Sequence, residues 1–497
     1  MTHKNLFAVA LLALISVPAS SCGERLNAGP VNLSTASLAD LTAALDAKRT
    51  TSAALVKAYL ARIAACNPEL HAIIATNPNA LQAAEALDRE RAAGKTRGPL
   101  HGIPVVIKDN IDFAGMVTTA GSLALKENLR EHSAPLVERL EASGLVILAK
   151  ANLSEWANFR SDFSSSGWSA VGGLAVNPVN KLRTACGSSS GSAAAVVAHL
   201  APLAVGTETN GSIVCPASIT GLVGLKPTVG VIAGRGIVPI SHTQDTAGPM
   251  AARVADAALL LGALAEKPSD YRGALRPDAL KGTRIGVARF IQGFSPQTLA
   301  VFGAALERLK AAGAELVDVK QFDESALDGL EMPILLTEFK ADLDAYLSTA
   351  PAAVKTRTLK DLIAFNTAEP RELEFFGQDV FEQAELAKGL DDPDYKTKLA
   401  KALSLTREQG IDKLLADNRV VALVAPTAGP AWMIDLVNGD RGTGSSSNIP
   451  AIAGYPHLTV PMGKVSGLPV GLSFIGKAND EQTLLSLGYA YERVRGD

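Results

Sequence analysis

The hydrophobic pattern of the chain alternates between helix-like and strand-like segments. Between residues 38 and 93, apolar side chains recur every three or four positions, which predicts an N-terminal layer of helices. Residues 103–107 and 146–149 are instead short, continuously apolar runs that are typical of buried strands. Helices and strands in alternation favour an α/β fold, with a sheet that carries helices on its faces.

Two later regions depart from this alternation. Residues 161–191 are rich in Ser, Gly, Asn and Pro, which predicts a long loop of the kind that usually has a function. From about residue 271 to residue 418 the chain is charged and amphipathic, which predicts a helical, cap-like insertion. Because no internal repeat is present, we expect a single domain over residues 30–497 that contains this insertion.

The first residues have the pattern of a signal peptide, which we assign to residues 1–21. Lys4 precedes an apolar run at 6–17 that ends in small residues. A run of about 12 residues is shorter than the roughly 20 that a transmembrane helix needs. Cys22 resembles a lipoprotein processing site, so a lipid anchor at Cys22 and plain secretion both stay open. We therefore expect an exported protein without a transmembrane span.

Charge, cysteine and histidine content exclude several classes of function. The net charge is -3 at pH 7, and no basic stripe is present that would bind nucleic acid. The 7 histidines are scattered singly, so we predict no metal site and no cofactor. Besides Cys22, the chain has Cys66, Cys186 and Cys215. A bridge between Cys186 and Cys215 and free buried thiols are both compatible with the sequence.

Two Gly- and Ser-rich segments, at 185–192 and 206–217, flank one Ala-rich helical stretch. Glycine-rich loops allow successive backbone N–H groups to converge on an oxyanion or a phosphate. Gly and Ser are also typical of flexible linkers. These segments lie between strongly apolar stretches, where linkers are rare, so the pattern favours a binding site for an anion or a developing negative charge.

The same segments resemble the signature of the amidase signature family of hydrolases. The resemblance covers GSSSGS at 187–192, TNGSI at 209–213 and GLKPT at 224–228. It extends to HGIPVVIKDN at 101–110 and GYPHLTVP at 454–461, and so to nearly the whole mature chain. Within the family, the motifs are most similar to those of bacterial peptide amidases, which remove the C-terminal amide of peptides. The resemblance implies a mixed β-sheet core sandwiched between helical layers.

The resemblance also implies the roles of individual residues. Ser212 is the expected nucleophile, Ser188 a bridging serine on a cis peptide, and Lys108 the base. Backbone N–H groups of Thr209, Asn210 and Gly211 are expected to bind the oxyanion. A lysine acts as a base only when it is neutral, so its ordinary pKa of about 10.4 must fall toward about 7–8. Burial at the end of the apolar run that precedes Lys108 would have this effect.

Three positions depart from the family pattern. Val214 stands where many relatives carry Arg, and Asn210 and Ser190 stand where they carry Gly. Without that Arg, a small anionic substrate has no counter-charge. The predicted substrate is therefore a small-molecule or peptide carboxamide that is hydrolysed through an acyl-enzyme. The Asn210 side chain either contacts substrate or caps a turn, and the sequence does not distinguish the two.

Other functions remain open on the sequence alone. The substrate could be an aryl or fatty acyl amide, since the cap region carries no motif that defines a pocket. The run Gly-Ser-Ser-Ser-Gly at 187–191 also fits the nucleophile elbow of α/β-hydrolases, with Ser189 as nucleophile and His242 or His457 as its partner. A catalytically silent exported binding protein is disfavoured, because Lys108, Ser188 and Ser212 are all competent residues.

Overall fold

The computed structural model describes residues 26–320 and 322–496. The predicted signal peptide and the candidate lipidation site at Cys22 lie outside these residues. Within the described residues, no helix combines the length and the apolarity that crossing a membrane requires.

An eleven-stranded mixed sheet forms the centre of the described chain. In chain order its strands are β1 (Ile73–Thr76), β2 (Pro104–Lys108), β3 (Val146–Ala151), β4 (Leu203–Glu208), β5 (Val223–Lys226), β6 (Thr246–Ala251), β7 (Arg284–Ala288), β8 (Glu315–Val319), β9 (Leu423–Pro426), β10 (His457–Val465) and β11 (Leu468–Ile475). Their order across the sheet is β8-β7-β9-β11-β10-β5-β6-β4-β2-β3-β1. Strand β2 runs parallel to both β3 and β4, whereas β6 pairs antiparallel with β4 and β5.

Helices cover this sheet. They are α1 (Leu38–Asp46), α2 (Ser52–Leu70), α3 (Ala80–Ala92), α4 (Pro135–Ala142), α5 (Ser190–Val197), α6 (Val214–Thr220), α7 (Val254–Leu264), α8 (Pro296–Ala311), α9 (Glu331–Ser348), α10 (Leu359–Ala368), α11 (Asp379–Glu385), α12 (Pro393–Thr406), α13 (Asp412–Asn418), α14 (Asn448–Ala453) and α15 (Glu481–Val494). The predicted α/β fold, with a mixed sheet between helical layers, is confirmed.

Three interior strands are largely apolar because they are covered on both faces. Every residue of β2, β3 and β4 is buried. Strands that are buried on both faces read as continuous apolar runs instead of alternating ones. The last residues of β2 and β4 carry polar side chains of the site. Burial of these strands removes those side chains from contact with bulk water.

The predicted N-terminal helical layer is present as α1, α2 and α3. Its first helix begins with a capping box in which Ser37 and Asp40 exchange hydrogen bonds. Strand β1 interrupts the layer between α2 and α3, and the sequence did not predict it. This strand is short and lies at the edge of the sheet, with two of its four residues exposed, so it lacks a continuous apolar run.

The predicted helical insertion at 271–418 is wrong in its first part. Strands β7 and β8 lie within this range and belong to the central sheet. The signal of β8 is weak because it is an edge strand with largely exposed or half-buried residues, whereas β7 is short but buried. The helices α9–α13 follow, and Phe339 and Phe381 of this group pack with Trp156 and Phe159, which precede the long loop. The division into a domain with an insertion stays a prediction.

Candidate active site

Lys108 ends strand β2, an interior strand of the sheet, and its side chain is fully buried. Its Nζ lies 2.7 Å from Ser188 Oγ and 2.8 Å from Thr207 Oγ1. The same amine donates to the carbonyl oxygen of Thr207 over 3.2 Å. Thr207 lies in β4, beside β2, and its hydroxyl also accepts a hydrogen bond from Asn110 Nδ2 over 3.0 Å. The amine is therefore surrounded by hydroxyls and a carbonyl.

Burial lowers the pKa of Lys108 to about 7, against the opposing charges of Asp245 and Glu208. Removal from water disfavours the charged form of an amine unless a counter-ion contacts it. No carboxylate contacts this amine within the described residues. A large share of Lys108 is therefore neutral near pH 7 and able to accept a proton, as the role of a base requires.

Ser188 lies in the loop before α5, and the peptide bond between Gly187 and Ser188 is cis. The Ser188 side chain is fully buried. The backbone carbonyl oxygen of Ser188 accepts a hydrogen bond from Ser154 N over 3.1 Å. A Cβ atom at Gly187 would lie 2.1 Å from Ser154 Oγ, so this position has no space for a side chain. The loop thus holds the Ser188 hydroxyl against Lys108.

Ser212 lies in the turn that joins β4 to α6, and 8% of the residue is exposed. Gly211 precedes it with φ +83°, a left-handed conformation that suits glycine. The two serine loops are joined by the hydrogen bond from Ser189 N to the carbonyl oxygen of Ser212, at 3.2 Å. No hydrogen bond links the Ser188 and Ser212 hydroxyls within the described residues. The structure therefore brings Lys108 into contact with Ser188 and places the Ser212 loop beside them.

The backbone around Ser212 offers several hydrogen-bond donors. The N–H groups of residues 209–212 have no backbone or side-chain acceptor in the described part of the chain. The next two, of Ile213 and Val214, donate to the carboxylate of Glu208 over 2.7 and 3.0 Å. Free N–H groups beside a serine hydroxyl have the chemistry of an oxyanion hole. These are the backbone groups of Thr209, Asn210 and Gly211 that the sequence singled out.

The Asn210 side chain connects this loop to the rest of the fold. It donates to Glu331 Oε1 over 2.8 Å and to Asn448 Oδ1 over 3.1 Å, and it accepts from Ser447 Oγ over 2.7 Å. Glu331 Oε1 also accepts from Gln244 Nε2 over 2.9 Å. Asn210 therefore ties the loop to α9 and α14.

The sequence did not identify Thr207, Gln244, Glu331 or Asn448. Thr207 could have been found, because it lies in the same short run as Ser212. Glu331 and Asn448 carry no local signal, since they come from distant segments that meet the loop only in the folded chain.

A disulfide joins Cys186 and Cys215, the pairing that the sequence left open, with a Cα–Cα distance of 6.1 Å. Cys186 lies two residues before Ser188, and Cys215 lies three residues after Ser212. Trp432 packs against this pair. The bond therefore links the two serine loops covalently.

Comparison with known families agrees with this geometry. The family described as Amidase matches residues 54–485. The chain belongs to the amidase family. It is accordingly a hydrolase that acts on amides.

This amidase is similar to proteins from several organisms. A probable amidase from Arabidopsis thaliana is 38% identical, over 97% of this chain and 94% of that protein. A putative amidase from Arthroderma benhamiae is 39% identical, over 88% of this chain and 78% of that protein. The crystal structure of native peptide amidase from Stenotrophomonas maltophilia is 47% identical, with a TM-score of 0.88, and the match covers 93% of this chain and 97% of that chain.

The alternative serine, Ser189, does not meet a histidine. Its hydroxyl donates to the carbonyl oxygen of Thr207 over 3.0 Å and accepts from Thr207 N over 3.2 Å. His457 is fully buried and contacts Ser473, while His242 contacts Asp342 at the surface. Within the described residues, no hydrogen bond joins Ser189 to either histidine, so the elbow arrangement is not assembled.

The described residues also contain no group of three or more His, Cys, Asp or Glu side chains that could hold a metal ion. The polar groups on and around the two serine loops are hydroxyls, amides, backbone N–H groups, carboxylates and, in contact with Ser188, the Lys108 amine. Such groups can move protons and stabilise a developing oxyanion.

Proposed function

We propose that this amidase hydrolyses the C-terminal carboxamide of peptides, with Ser212 as nucleophile, Ser188 as proton relay and Lys108 as base. The observation that carries the proposal is the 2.7 Å contact between Lys108 Nζ and Ser188 Oγ in a buried site. A lysine whose pKa is lowered by burial to about 7 has the basicity that this role requires.

The first step forms an acyl-enzyme. Neutral Lys108 takes the proton of Ser188 while Ser188 takes that of Ser212, and Ser212 Oγ bonds to the carbonyl carbon. The carbonyl oxygen gains the negative charge and is bound by backbone N–H groups of residues 209–212. Contacts between a nucleophile and its relay commonly tighten only in the complex with substrate, so we expect the two serine hydroxyls to approach there.

The second half of the reaction returns the proton. The carbon–nitrogen bond breaks, Lys108 protonates the leaving nitrogen through Ser188, and ammonia departs. Water then attacks the ester of Ser212 by the same proton route and releases the acid. A hydroxyl can donate and accept at the same time, which suits Ser188 to both directions of transfer.

The choice of substrate rests on similarity and on charge. The similar structure from Stenotrophomonas maltophilia is that of a peptide amidase. Val214, where many relatives carry Arg, removes a counter-charge for small anionic substrates. Aryl and fatty acyl amides are the competing substrate classes.

An ammonia-release assay tests this function. Purified protein is given amidated peptides, the same peptides as free acids, an anilide and a fatty acyl amide, with Ser212→Ala as the inactive control. We expect ammonia from the amidated peptides without internal cleavage, and none from the Ser212→Ala variant. A preference for fatty or aryl amides rejects the peptide substrate, and full activity of Ser212→Ala rejects the nucleophile.

We also propose that the protein is exported. The Cys186–Cys215 disulfide supports this location, because disulfides persist in oxidising compartments. Whether Cys22 carries a lipid is tested by detergent-phase partitioning of the wild type and of Cys22→Ala expressed in a bacterium. Partitioning that is lost in Cys22→Ala supports an anchor, and an aqueous wild type supports plain secretion.

A further inference from the structure

Carboxylates surround the loop that carries Ser212. Thr209 Oγ1 donates to Asp245 Oδ1, Asn210 Nδ2 donates to Glu331 Oε1, and Glu208 accepts from the two N–H groups after Ser212. Three acidic side chains therefore form hydrogen bonds with residues in the range 209–214.

Positive charge is scarce beside the same loop. Lys108 lies behind Ser188, and burial lowers the pKa of this amine to about 7, so its charge is partial at neutral pH. The hydrogen bonds to Glu331 come from the neutral side-chain amides of Asn210 and Gln244. Glu331 forms no ion pair within the described residues. The electrostatic environment of Ser212 is therefore negative on the side of α9.

Glu331 differs from the other two carboxylates in its hydrogen bonds. Glu208 is fully buried, and the Asp245 carboxylate is held by the backbone N–H groups of Ile240 and Ser241. Glu331 is the first residue of α9, is half-buried, and contacts the half-buried side chain of Asn210. Burial raises the pKa of Glu331 above its ordinary value. The second carboxylate oxygen of Glu331, Oε2, accepts no hydrogen bond within the described residues and is not buried, so of the three carboxylates Glu331 is the one with a free oxygen beside the loop.

We propose that Glu331 is a specificity-determining residue that distinguishes the neutral amide substrate from the carboxylate product. This inference rests on the proposed function. Hydrolysis converts an uncharged carboxamide into an acid at the position next to Ser212. The charge of Glu331 repels that acid while leaving the amide unaffected, so substrate enters and product leaves. Like charges in a partly buried site interact strongly enough to change an equilibrium severalfold.

The test compares Glu331→Gln with the wild type and with Asp328→Asn. The side-chain carbonyl introduced by Glu331→Gln retains an acceptor for both amides, so the change removes charge with little change of shape. Asp328 is an exposed carboxylate three residues earlier, and its variant carries the same change in net charge. The inhibition constant of the free-acid peptide is measured against its amidated form at pH 8 and low salt. Binding of the same acid is also measured by calorimetry in a Ser212→Ala background.

In Glu331→Gln we expect the acid to bind about fivefold more tightly, with an unchanged KM for the amide. Asp328→Asn should match the wild type, and Glu331→Asp should keep weak binding of the acid. The difference should shrink when the salt concentration is raised, because ions screen partly exposed charges. Equal binding of the acid to Glu331→Gln and the wild type overturns the inference, as does an equal gain in Glu331→Gln and Asp328→Asn.

Failure of the proposed function gives a different result. If the wild type turns over a fatty or aryl amide instead of amidated peptides, the peptide assignment fails. The same comparison is then made with the acid of that amide, and the outcome for Glu331 stands independently.

Discussion

Lys108 and Lys150 are buried side by side in the sheet and have different surroundings. They lie on the parallel strands β2 and β3, and both side chains are fully buried. Lys150 Nζ lies 3.0 Å from Asp109 Oδ1 and donates to Ile111 O and Thr118 Oγ1. Within the part of the chain that the structure describes, Lys108 contacts only two hydroxyls and a carbonyl. Among these residues, Lys150 therefore has a counter-ion in contact, whereas Lys108 does not.

The contrast shows that the contacts of a buried lysine decide its role. A charge-paired ammonium joins neighbouring segments, while an amine among neutral groups loses its proton readily. Asp109 follows Lys108 directly in the sequence but faces Lys150, because successive side chains at a strand end point to opposite sides. Lys108, the candidate base, and Asp109, the counter-ion of Lys150, are thus adjacent in the sequence but belong to different contacts.

Replacing Lys108 should have the largest effect on activity. In Lys108→Met we expect kcat to fall by about 10²-fold to 10⁴-fold, the range for loss of a general base. Methionine keeps the apolar stem, so the circular dichroism spectrum should be unchanged. Ammonia release measures the loss, and turnover near the wild-type rate would refute the role of Lys108.

Replacing Lys150 should affect stability instead. Lys150→Met leaves Asp109 buried without its counter-ion, and breaking a buried pair lowers the free energy of unfolding by about 3–5 kcal/mol. Urea denaturation measures the change, and the folded fraction should keep most of its activity. A variant that unfolds like the wild type but releases no ammonia would make Lys150, and not Lys108, the candidate base.

The pH dependence of activity and of stability provides a further test of Lys108. The active form of Lys108 is neutral, and burial lowers its pKa to about 7, so kcat/KM should rise about tenfold per pH unit below 7 and level off above it. Since the unfolded chain keeps an ordinary lysine pKa, the penalty for burying this charge is complete below about pH 7 and disappears toward about pH 10.4. A flat activity profile from pH 5 to 9 would contradict this assignment.

Removing the Thr207 hydroxyl, which contacts the Lys108 amine together with the hydroxyl of Ser188, should have the smallest effect on activity. Thr207 Oγ1 lies 2.8 Å from the amine, where its lone pairs favour the ammonium form. In Thr207→Val we expect kcat to fall about tenfold, roughly the value of one hydrogen bond to a charged group. The midpoint of the pH profile should move to lower pH, and an unmoved midpoint would show that Thr207 does not influence the proton on Lys108.

The sequence predicted buried interior strands of the sheet better than its edge strands. Strands β2 and β3 are buried on both faces, so their apolar runs were recognisable. Edge strands β1 and β8 are partly exposed and lack such runs, and β8 was therefore assigned to a helical region. Short strands at an edge are defined by pairing with a distant neighbour, which local composition does not record.

In the candidate site, too, the residues with a local sequence signal were predicted and the contacts between distant segments were not. Lys108, Ser188 and Ser212 were identified because each lies in a recognisable motif. The contacts of Asn210 were not predicted, because Glu331 and Ser447 approach it from segments more than 100 residues away. The sequence left open whether the Asn210 side chain contacts substrate or caps a turn, and its contacts with α9 and α14 belong to neither alternative.

The position of Glu331 at the start of α9 has a consequence for protein engineering. The groups assigned to bond cleavage lie on the sheet and its loops, whereas Glu331 begins the separate helical stretch that continues to residue 418. Exchanging this stretch between relatives would replace the carboxylate of Glu331 while the proton route is left in place. Chimeras would thus change the balance between substrate and product binding without rebuilding the chemistry.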